Sequence, residues 1–386
     1  MENKNTVFFT LNELCDICEK SPIKKGDLLK DGKYPVINSS RNILGYFDRS
    51  NNVADTLVIT SHGAYAGYCH YLDTDFFAGS LCFPMKSKDP AKVLTKYIYY
   101  CVRNDEKIIR ERYVNKSGVP YINLSALMKH RIPVPTIEIQ AKIVELLDNL
   151  EIDINNLKTE LLNEIKIRQD MFRCLKEEAL SFGDDVSSVK LSDLFSFRNG
   201  LSKGKDYFGH GDPIVRYTDV YRSNRITKEM LTDLVECDEK ELRALKVNRG
   251  DVLFTRTSET VEEVGICSVM IDQMDKCVFS GFLLKGTPIT NLLWPEYCAY
   301  CFSTKQVRDY IVSHTPFTTR ASLTGKILSG LSIKVPNISV QKQISESLYK
   351  FELATKEIVE SLKKEIEARE LQMACSLSYF FKELKA

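Results

Sequence analysis

The feature that most constrains this chain is a proline-containing junction that occurs twice. The stretch "IPVPTIEIQAKI" at 132–143 is followed by "IKVPNISVQKQI" at 333–344, a shift of 201 residues. In each copy, proline stands among β-branched residues, and a helical pattern starts directly afterwards. Proline favours an extended backbone at the residue before it, so each junction predicts a strand that leads into a helix.

The repeat continues beyond the junction at the same shift. The identical pairs include Gln140 and Gln341, Glu151 and Glu352, and Arg168 and Arg369. Self-similarity in one register over such a span predicts two homologous halves, because each repeat is one structural unit. Each half is expected to be a variable globular part followed by a long helix.

Apolar residues follow each junction at alternating steps of four and three, the pattern of a coiled coil. The two stripes are Ile143, Leu147, Leu150, Ile154, Leu157 and Leu161, and then Ile344, Leu348, Phe351, Thr355, Ile358 and Leu362. A helix from residue 138 to about 181 would be roughly 65 Å long at 1.5 Å per residue. Such a helix overhangs a small domain, so the pattern favours pairing of the two helices over separate packing of each on its own domain.

The globular parts are predicted to be β-rich, since apolar and polar residues alternate between Gly, Asn and Asp breaks. The strand-like segments are "GKYPVINSS", "DTLVITSHGAYAGYCHYL" and "FAGSLCFPM", and then "DPIVRYTDVY", "GDVLFTRTSE", "VGICSVMI" and "CVFSGFLLKG". One helical run follows in each half, "PAKVLTKYIYYCVRNDEKII" or "WPEYCAYCFSTKQVRDYIVS". The predicted fold class is α+β, with globular domains at 1–135 and 184–336 and long helices at 136–183 and 337–386.

Composition limits the possible classes of protein. Hydrophobic residues make up 44% of the chain and charged residues 27%, so each half can bury a core. The formal net charge of +1 argues against a uniformly basic coat but permits local basic surfaces. There is neither an apolar run of 18 residues nor a secretory signal pattern, so we expect a cytoplasmic protein without a membrane contact.

Motifs for catalysis are missing from the sequence. The segment "GLSKGKD" at 200–206 is too short between its glycines for a phosphate-binding P-loop and lacks the Ser or Thr. The pairs Cys15/Cys18 and Cys298/Cys301 lie far apart, and small buried apolar residues explain them better than a zinc site does. We therefore expect no catalytic residues, no metal site and a binding function.

The breaks between the predicted strands carry basic, polar and aromatic residues in both halves. Arg and Lys neutralise phosphates and donate to guanine, while Asn, Ser and Thr contact other base edges, so such sets suit DNA. Ordinary polar loops remain the alternative for any single residue. The candidates are Lys33, Tyr34, Asn38, Ser40, Arg41, Ser61, His62, Tyr65, Lys116 and Ser117 in the first half, and Lys203, Lys205, Arg216, Tyr217, Arg222, Asn224, Arg225, Arg256, Thr257, Ser258, Thr319 and Arg320 in the second.

Across essentially its whole length, the chain resembles the specificity subunits of type I restriction–modification systems. The resemblance rests on the two junctions with their continuations "LLDNLE" and "LYKFE", on "DGKYPVINSSRNILGYFDRSN", "LVITSHGAYAGYCHY" and "FFAGS", and on "GDPIVRYTDVY" with "GDVLFTRT". One departure is "TRTSETVEEVG", where Ser258 and three glutamates stand in place of a glycine that family members often carry after the second Thr.

This resemblance implies two target-recognition domains that each read one half of a split, asymmetric site in double-stranded DNA. It also implies two long helices that pair antiparallel, space the recognition domains and dock two modification subunits. S-adenosylmethionine, ATP and Mg would then belong to the modification and restriction (translocase) subunits, and this chain would bind no cofactor.

Two alternatives stay open at this point. One is a specificity subunit of a related system whose partner chain fuses the nuclease and the methyltransferase. The other is a coiled-coil interaction scaffold without DNA specificity, which the chemistry of the loops disfavours.

Overall fold

The computed structural model describes residues 7–385, which form two compact units. The first unit contains the residues up to Asn163 and those from Leu362 onward, and the second contains Glu164–Ser361. Each unit therefore includes one globular domain, the first part of the long helix that follows this domain, and the last part of the other long helix. These units cut across the four ranges predicted from the sequence, because each long helix is shared between them.

The first globular domain consists of short strands and four helices, and a long helix follows it. In chain order these are β1 (Val7–Thr10), α1 (Leu11–Leu14), β2 (Cys15–Ile17), β3 (Tyr34–Ile37), β4 (Gly45–Phe47), β5 (Thr56–Thr60), β6 (Cys69–Leu72), β7 (Phe77–Ala78), β8 (Cys82–Ser87), α2 (Thr95–Asn104), α3 (Glu106–Tyr113), β9 (Val114–Asn115), β10 (Tyr121–Ile122), α4 (Leu124–Leu127), β11 (Arg131–Val134) and the long α5 (Ile137–Ala179).

The second domain repeats this arrangement and ends in the second long helix. Its elements are β12 (Ser188–Lys190), α6 (Leu191–Leu194), β13 (Phe195–Asn199), β14 (Phe208–Val215), α7 (Tyr217–Arg222), β15 (Arg225–Ile226), β16 (Leu234–Val235), α8 (Glu239–Leu245), β17 (Val252–Thr255), β18 (Thr257–Ser258), β19 (Cys267–Met270), β20 (Val278–Phe279), β21 (Leu283–Pro288), α9 (Pro295–Cys301), α10 (Lys305–His314), β22 (Ala321–Ser322), α11 (Gly325–Gly330), β23 (Ser332–Lys334) and the long α12 (Ile338–Lys385).

The sheets confirm the predicted duplication. A sheet of order β2-β8-β5-β6 in the first domain corresponds to β13-β21-β17-β19-β15 in the second. A smaller sheet of order β4-β3-β7 corresponds to β16-β14-β20, and its β3–β7 and β14–β20 pairs are parallel. In the first domain α2 packs against β5 and β6, and it buries Tyr97 and Tyr100 completely. The two halves thus share one α+β fold.

Each proline junction forms the strand that the sequence predicts. In the first unit β11 pairs antiparallel with β1, so that Val134 lies opposite Val7. In the second unit β23 pairs in the same way with β12, with Lys334 opposite Ser188. The last strand of each domain therefore returns to its first strand, and the long helix begins where the domain closes.

The first turn of α5 is fixed by the buried side chain of Gln140. Its amide nitrogen donates to the carbonyl oxygens of Lys92 (3.0 Å) and Pro135 (2.9 Å). Its oxygen accepts a hydrogen bond from the backbone amide of Leu94 (3.1 Å), directly before α2. One side chain thus joins the junction, the long helix and the domain helix.

Gln341 makes the same three contacts at the first turn of α12. It donates to the carbonyl oxygens of Leu292 (2.8 Å) and Pro336 (2.7 Å) and accepts from the amide of Trp294 (2.8 Å). Both glutamines are completely buried. The sequence identity at this position therefore has a physical cause, since a buried carboxamide must satisfy its donors and acceptor.

The two long helices pair antiparallel. In the first unit, Lys158 of α5 forms an ion pair with Glu370 of α12. In the second unit, the ring of Phe172 of α5 stacks on Phe351 of α12, with centroids 6.2 Å apart. Residue numbers rise along α5 while those of their partners fall along α12, which defines the antiparallel direction.

The apolar stripe of α12 differs from the predicted one at two positions. Phe351 and Ile358 are 36% and 38% exposed, whereas Glu352 and Val359 are buried. The reason is that Glu352 is turned inward by a hydrogen bond from Tyr300, which leaves Phe351 at the flank of the helix pair. The buried positions of α12 therefore continue from Leu348 to Glu352, a step of four, where the predicted stripe takes a step of three to Phe351.

Two local predictions also need correction. Each expected single helical run is split, at Asp105 between α2 and α3 and at residues 302–304 between α9 and α10. The strand-like stretch "DPIVRYTDVY" ends as a strand at Val215 and continues as the helix α7. Asp219 accepts a hydrogen bond from the backbone amide of Arg216 (2.8 Å), which satisfies a free donor at the start of this helix.

We predict that Gln140→Ala lowers the free energy of unfolding of the first unit by about 2–4 kcal/mol, because it leaves buried backbone groups without partners. Chemical denaturation of the full chain measures this change. Gln169→Ala, an exposed glutamine on the same helix, is the matched control and should change stability little. Equal effects of the two substitutions would show that the buried carboxamide is not a stabilising contact.

Candidate nucleic-acid interface

The loop that follows β5 carries three of the candidate residues, Ser61, His62 and Tyr65. The backbone of Ser61 is held on both sides, since its amide donates to the carbonyl of Leu81 (2.9 Å) and its carbonyl accepts from Ile122 (2.8 Å). The side chain of Ser61 is fully buried and lies 2.8 Å from Nδ1 of His62. Tyr65 is 43% exposed at the tip of the loop.

In the second unit, Arg256 occupies the position that Ser61 occupies in the first. Its amide donates to the carbonyl of Phe282 (2.9 Å), and its carbonyl accepts from Leu323 (2.8 Å). The same backbone position therefore carries a buried hydroxyl in one unit and a half-buried guanidinium in the other. The shift of 201 does not hold here, because the loops differ in length, and only the hydrogen-bond pattern identifies the equivalence.

In each unit, an arginine holds the loop described above. This arginine lies on α3 in the first unit and on α10 in the second. Nη2 of Arg110 donates to the carbonyl of Ala64 (3.0 Å) in the first unit. In the second, Arg308 donates to the carbonyls of Val264 (2.7 Å) and Glu262 (2.6 Å). These arginines position the loops from the adjacent helices α3 and α10.

Each of these loops ends in a glycine that the geometry requires. Gly67 and Gly265 have φ angles of +92° and +72°. A Cβ at Gly67 would lie 2.7 Å from Cγ of Arg110, and one at Gly265 would lie 2.7 Å from Cγ2 of Ile311. Any other residue would meet both backbone strain and a close contact at these positions.

A groove of about 920 Å³ in the first unit brings several candidates together. It contains Arg41, Tyr65 and Lys116, and the ring of Tyr68 lies 5.4 Å below the guanidinium of Arg41. The groove contains three further cations that were not predicted from the sequence, Arg103, Lys107 and Arg110. The only sequence signal for them was the basic spacing in "RNDEKIIRER" at 103–112, which resembles any solvated helix face.

Some charges in this groove are neutralised internally. Arg103 lies 2.9 Å from Glu151 of α5. Glu106 is 3.9 Å from Arg110, and burial raises the pKa of Glu106. Among the side chains that the structure describes (residues 7–382 and Leu384), Arg41 and Lys116 form no ion pair, so their charges remain available to an external anion.

The other candidates of the first unit lie outside the groove. Lys33 covers the ring of Tyr34 at 5.0 Å and is exposed. Asn38 is buried and accepts from the amide of Leu81 (2.8 Å), and Ser40 donates to the carbonyl of Asn42. Ser117 is exposed and donates to Asn115 (2.7 Å).

A smaller groove of about 310 Å³ in the second unit contains Arg222 and Asn224, together with Arg308 and Lys356. Arg225 lies beside it, between the rings of Tyr300 (5.1 Å) and Tyr349 (3.9 Å). Its guanidinium donates to the Tyr300 hydroxyl (3.0 Å), so this candidate is committed to an internal contact.

The remaining second-unit candidates are spread over several loops. Lys203 pairs with Glu241 (2.6 Å), Arg216 with Asp233 (2.8 Å) and Arg320 with Glu259 (3.8 Å). Lys205 and Thr319 are exposed, and Tyr217 stacks on Tyr221 with centroids 6.0 Å apart. Thr257 and Ser258 form β18, which pairs with β22, and the Ser258 hydroxyl donates to Glu263 (2.8 Å).

The arrangement in both units is suited to binding an anion. Cations and aromatic rings line grooves beside rigid sheet edges, as nucleic-acid surfaces require. Among the side chains described, those of residues 7–382 and of Leu384, no group of three or more His, Cys, Asp or Glu could hold a metal ion. In the same residues, no helix combines the length and the apolar character needed to cross a membrane.

Comparison with protein families matches most of the chain. The model of the "Type I restriction modification DNA specificity domain" matches residues 3–167 and 183–368. Over 364 residues, the chain is 24% identical to the EcoR124I/EcoR124II specificity subunit of Escherichia coli, covering 88% of this chain and 84% of that protein. Over 228 residues, it is 28% identical to the EcoKI specificity subunit of E. coli strain K12, covering 55% of this chain. This match spans about half of the EcoKI subunit (48%).

A solved structure supports the fold independently. A chain from a study of "complex assembly and conformational transition of the type I R-M system" superposes with a TM-score of 0.74, and 97% of each chain is covered. The sequence identity is 13%, so this likeness shows the fold alone.

We predict that Arg308→Ala accelerates hydrogen exchange of the backbone amides at 261–266 by about tenfold or more, because two hydrogen bonds from a charged donor are lost. Exchange measured by mass spectrometry reports this change peptide by peptide. Arg243→Ala is the matched control, since Arg243 is exposed and pairs only with Glu239 on its own helix. Unchanged exchange at 261–266 would contradict the positioning role.

Proposed function

The chain belongs to the type I restriction modification DNA specificity family, and on that premise we propose that it is the DNA-recognition subunit of a type I restriction–modification complex. The observation that carries this proposal is the duplicated unit. Two domains with one fold each present a loop closed by a glycine and held by an arginine, beside a groove with basic residues. Two such readers on one chain suit a target site in two parts.

Each domain would read one half of a bipartite, asymmetric site in double-stranded DNA. The two domains present different side chains at equivalent places, namely His62 beside the buried Ser61 in one and Arg256 with Thr257 in the other. A guanidinium at this position can donate to O6 and N7 of guanine, which a serine hydroxyl cannot do in a bidentate way. Different half-sites therefore follow from one shared fold.

The long helices would carry the partner subunits. Ile167, Met171 and Leu175 follow each other at steps of four on α5 and are 52%, 49% and 37% exposed. An exposed apolar strip of this kind is typical of a surface that another protein covers. We assign it to one of two methyltransferase subunits, with restriction subunits completing the complex in the cytoplasm.

The chemistry would then reside on the partners. S-adenosylmethionine would bind to the methyltransferase subunits, and ATP and Mg to the partner subunits of the complex. This chain would contribute no catalytic residue, in agreement with the lack of nucleotide-binding and nuclease motifs in its sequence.

The decisive experiment compares the purified chain with the chain assembled with its methyltransferase partner. We expect no methyl transfer from labelled S-adenosylmethionine by the chain alone, and a bipartite methylated motif in the genome of cells that express both. Methylation by the chain alone would overturn the assignment as a non-catalytic subunit. Absence of any sequence-dependent methylation would favour the alternative of a coiled-coil scaffold without DNA specificity. The neighbouring genes would show whether the nuclease and the methyltransferase are fused in one partner chain.

The paired helices also predict how the length of the unread spacer is set. Deletion of 159–165 together with 360–366 removes one heptad from each helix and retains the Lys158–Glu370 and Phe172–Phe351 contacts. The helices become about 10 Å shorter, which equals about three base pairs of DNA at about 3.4 Å each. We expect a shorter spacer with both half-sites unchanged, measured by sequencing of the methylated motif. Deletion of 159–165 alone is the control, because it breaks the apolar register between the two helices. An unchanged spacer in the paired deletion would refute the proposal that helix length sets spacer length.

A further inference from the structure

We propose that the two units contribute unequally to DNA affinity. The first unit supplies the anchor to the phosphodiester backbone through the groove that contains Arg41, Lys107 and Lys116, while the groove of the second unit offers fewer free cations to phosphates and that unit mainly reads bases. This inference rests on the proposed function and adds that the two recognition domains have different roles in DNA binding. The proposal is based on the ion pairs of each unit, which show which cations are already neutralised.

In the groove of the first unit, the free charges are mainly positive. Among the groove acids, Glu106 is near Arg110 and Glu370 pairs with Lys158, which leaves Glu111. Arg41, Lys107 and Lys116 form no ion pair with any side chain that the structure describes, and all three are exposed. Three free cations against one free carboxylate give this concave surface a net positive charge.

The stacked ring of Tyr68 fixes the guanidinium of Arg41 at the wall of the groove. A hydrogen bond with Tyr68 raises the pKa of Arg41, so the charge is permanent. Lys107 lies on α3, and Lys116 lies in the loop between β9 and β10. Cations from three separate elements thus converge on one groove, as a curved phosphate backbone requires.

The groove of the second unit contains fewer free cations, because Lys356 pairs with Glu352 and Arg308 is bonded to loop carbonyls, which leaves Arg222. Outside this groove Lys205 and Arg256 form no ion pair among the described side chains, whereas the other candidate cations do or lie between aromatic rings.

Arg216 and Arg320 form ion pairs with Asp233 and Glu259, and Lys203 is paired with Glu241 at 15% and 28% side-chain exposure. A cation in such a pair must give up its carboxylate before it can bind a phosphate. It therefore contributes little to the release of counterions that drives binding to DNA.

The loop chemistry points in the same direction. The loop 257–265 of the second unit contains Glu259, Glu262 and Glu263, whereas the loop 61–68 of the first unit, "SHGAYAGY", contains no acid. Carboxylates repel phosphates, yet they can accept a hydrogen bond from N4 of cytosine. The acidic loop is consequently compatible with reading base edges and unsuited to holding the backbone.

The test uses the assembled methyltransferase complex and two double variants that each remove two cations. Lys107→Gln with Lys116→Gln changes the first unit, and Arg216→Gln with Arg320→Gln is the matched pair in the second. Lys92→Gln, at a lysine that is 81% exposed and lies outside the groove, is a further control. Dissociation constants for cognate and non-cognate duplexes are measured over a series of salt concentrations.

We expect the first double variant to reduce the slope of log affinity against log salt by about two and to weaken all duplexes alike, since each phosphate contact contributes about one. The second double variant should reduce it by less than about one, and Lys92→Gln should leave it unchanged. The methylated motif should stay the same in the first double variant. Equal reductions by the two double variants, or no reduction by the first, would overturn the proposal.

The unsubstituted complex provides an independent measurement. A duplex with only the half-site of the first unit should show a steeper salt dependence than a duplex with only the other half-site. Equal slopes would also contradict unequal anchoring. Lack of any DNA binding by the unsubstituted complex would instead refute the proposed function, so the two ideas fail in distinguishable ways.

Discussion

The structure depends on one buried carboxamide in each unit, at Gln140 and Gln341. Each lies on the first turn of a long helix and binds both the proline junction and the backbone before the domain helix. Because these groups have no access to water, they fix where the helix starts and in which direction it leaves the domain. This contact therefore sets the position of every residue farther along the helix.

A second contact, about two to three turns farther along each helix, completes this attachment. The buried hydroxyl of Tyr100 donates to Asp148 (2.5 Å), and that of Tyr300 donates to Glu352 (2.7 Å). Burial acts to raise the pKa of Glu352, yet hydrogen bonds from Lys356 and Tyr300 outweigh it and keep this pKa below its usual value. The carboxylate therefore stays charged inside the unit. Two fixed points per helix leave the recognition loops free to differ between the units without a change in the fold.

The sequence predicted the elements that follow from local pattern. Proline junctions, alternating strands and steps of four and three are set by backbone sterics and by burial of one face, so β11, β23, α5 and α12 could be expected. The inward turn of Glu352 could not, because it depends on Tyr300, which lies 52 residues away in the chain. The start of α7 was missed for a different reason, because its hydrogen bond between the Arg216 amide and Asp219 is local and the apolar alternation of the stretch indicated a strand instead.

By itself, the sequence determined the duplication, the two long helices and the kind of side chain available to bind DNA, since these are properties of neighbours along the chain. Only the tertiary structure decided which of those side chains are available. It buries Ser61, commits Arg225 to two tyrosines and pairs Arg216 with Asp233, and it places Lys107, which the sequence analysis missed, beside Arg41. The physical reason is that burial and charge pairing are set by residues distant in sequence, and no local pattern encodes them.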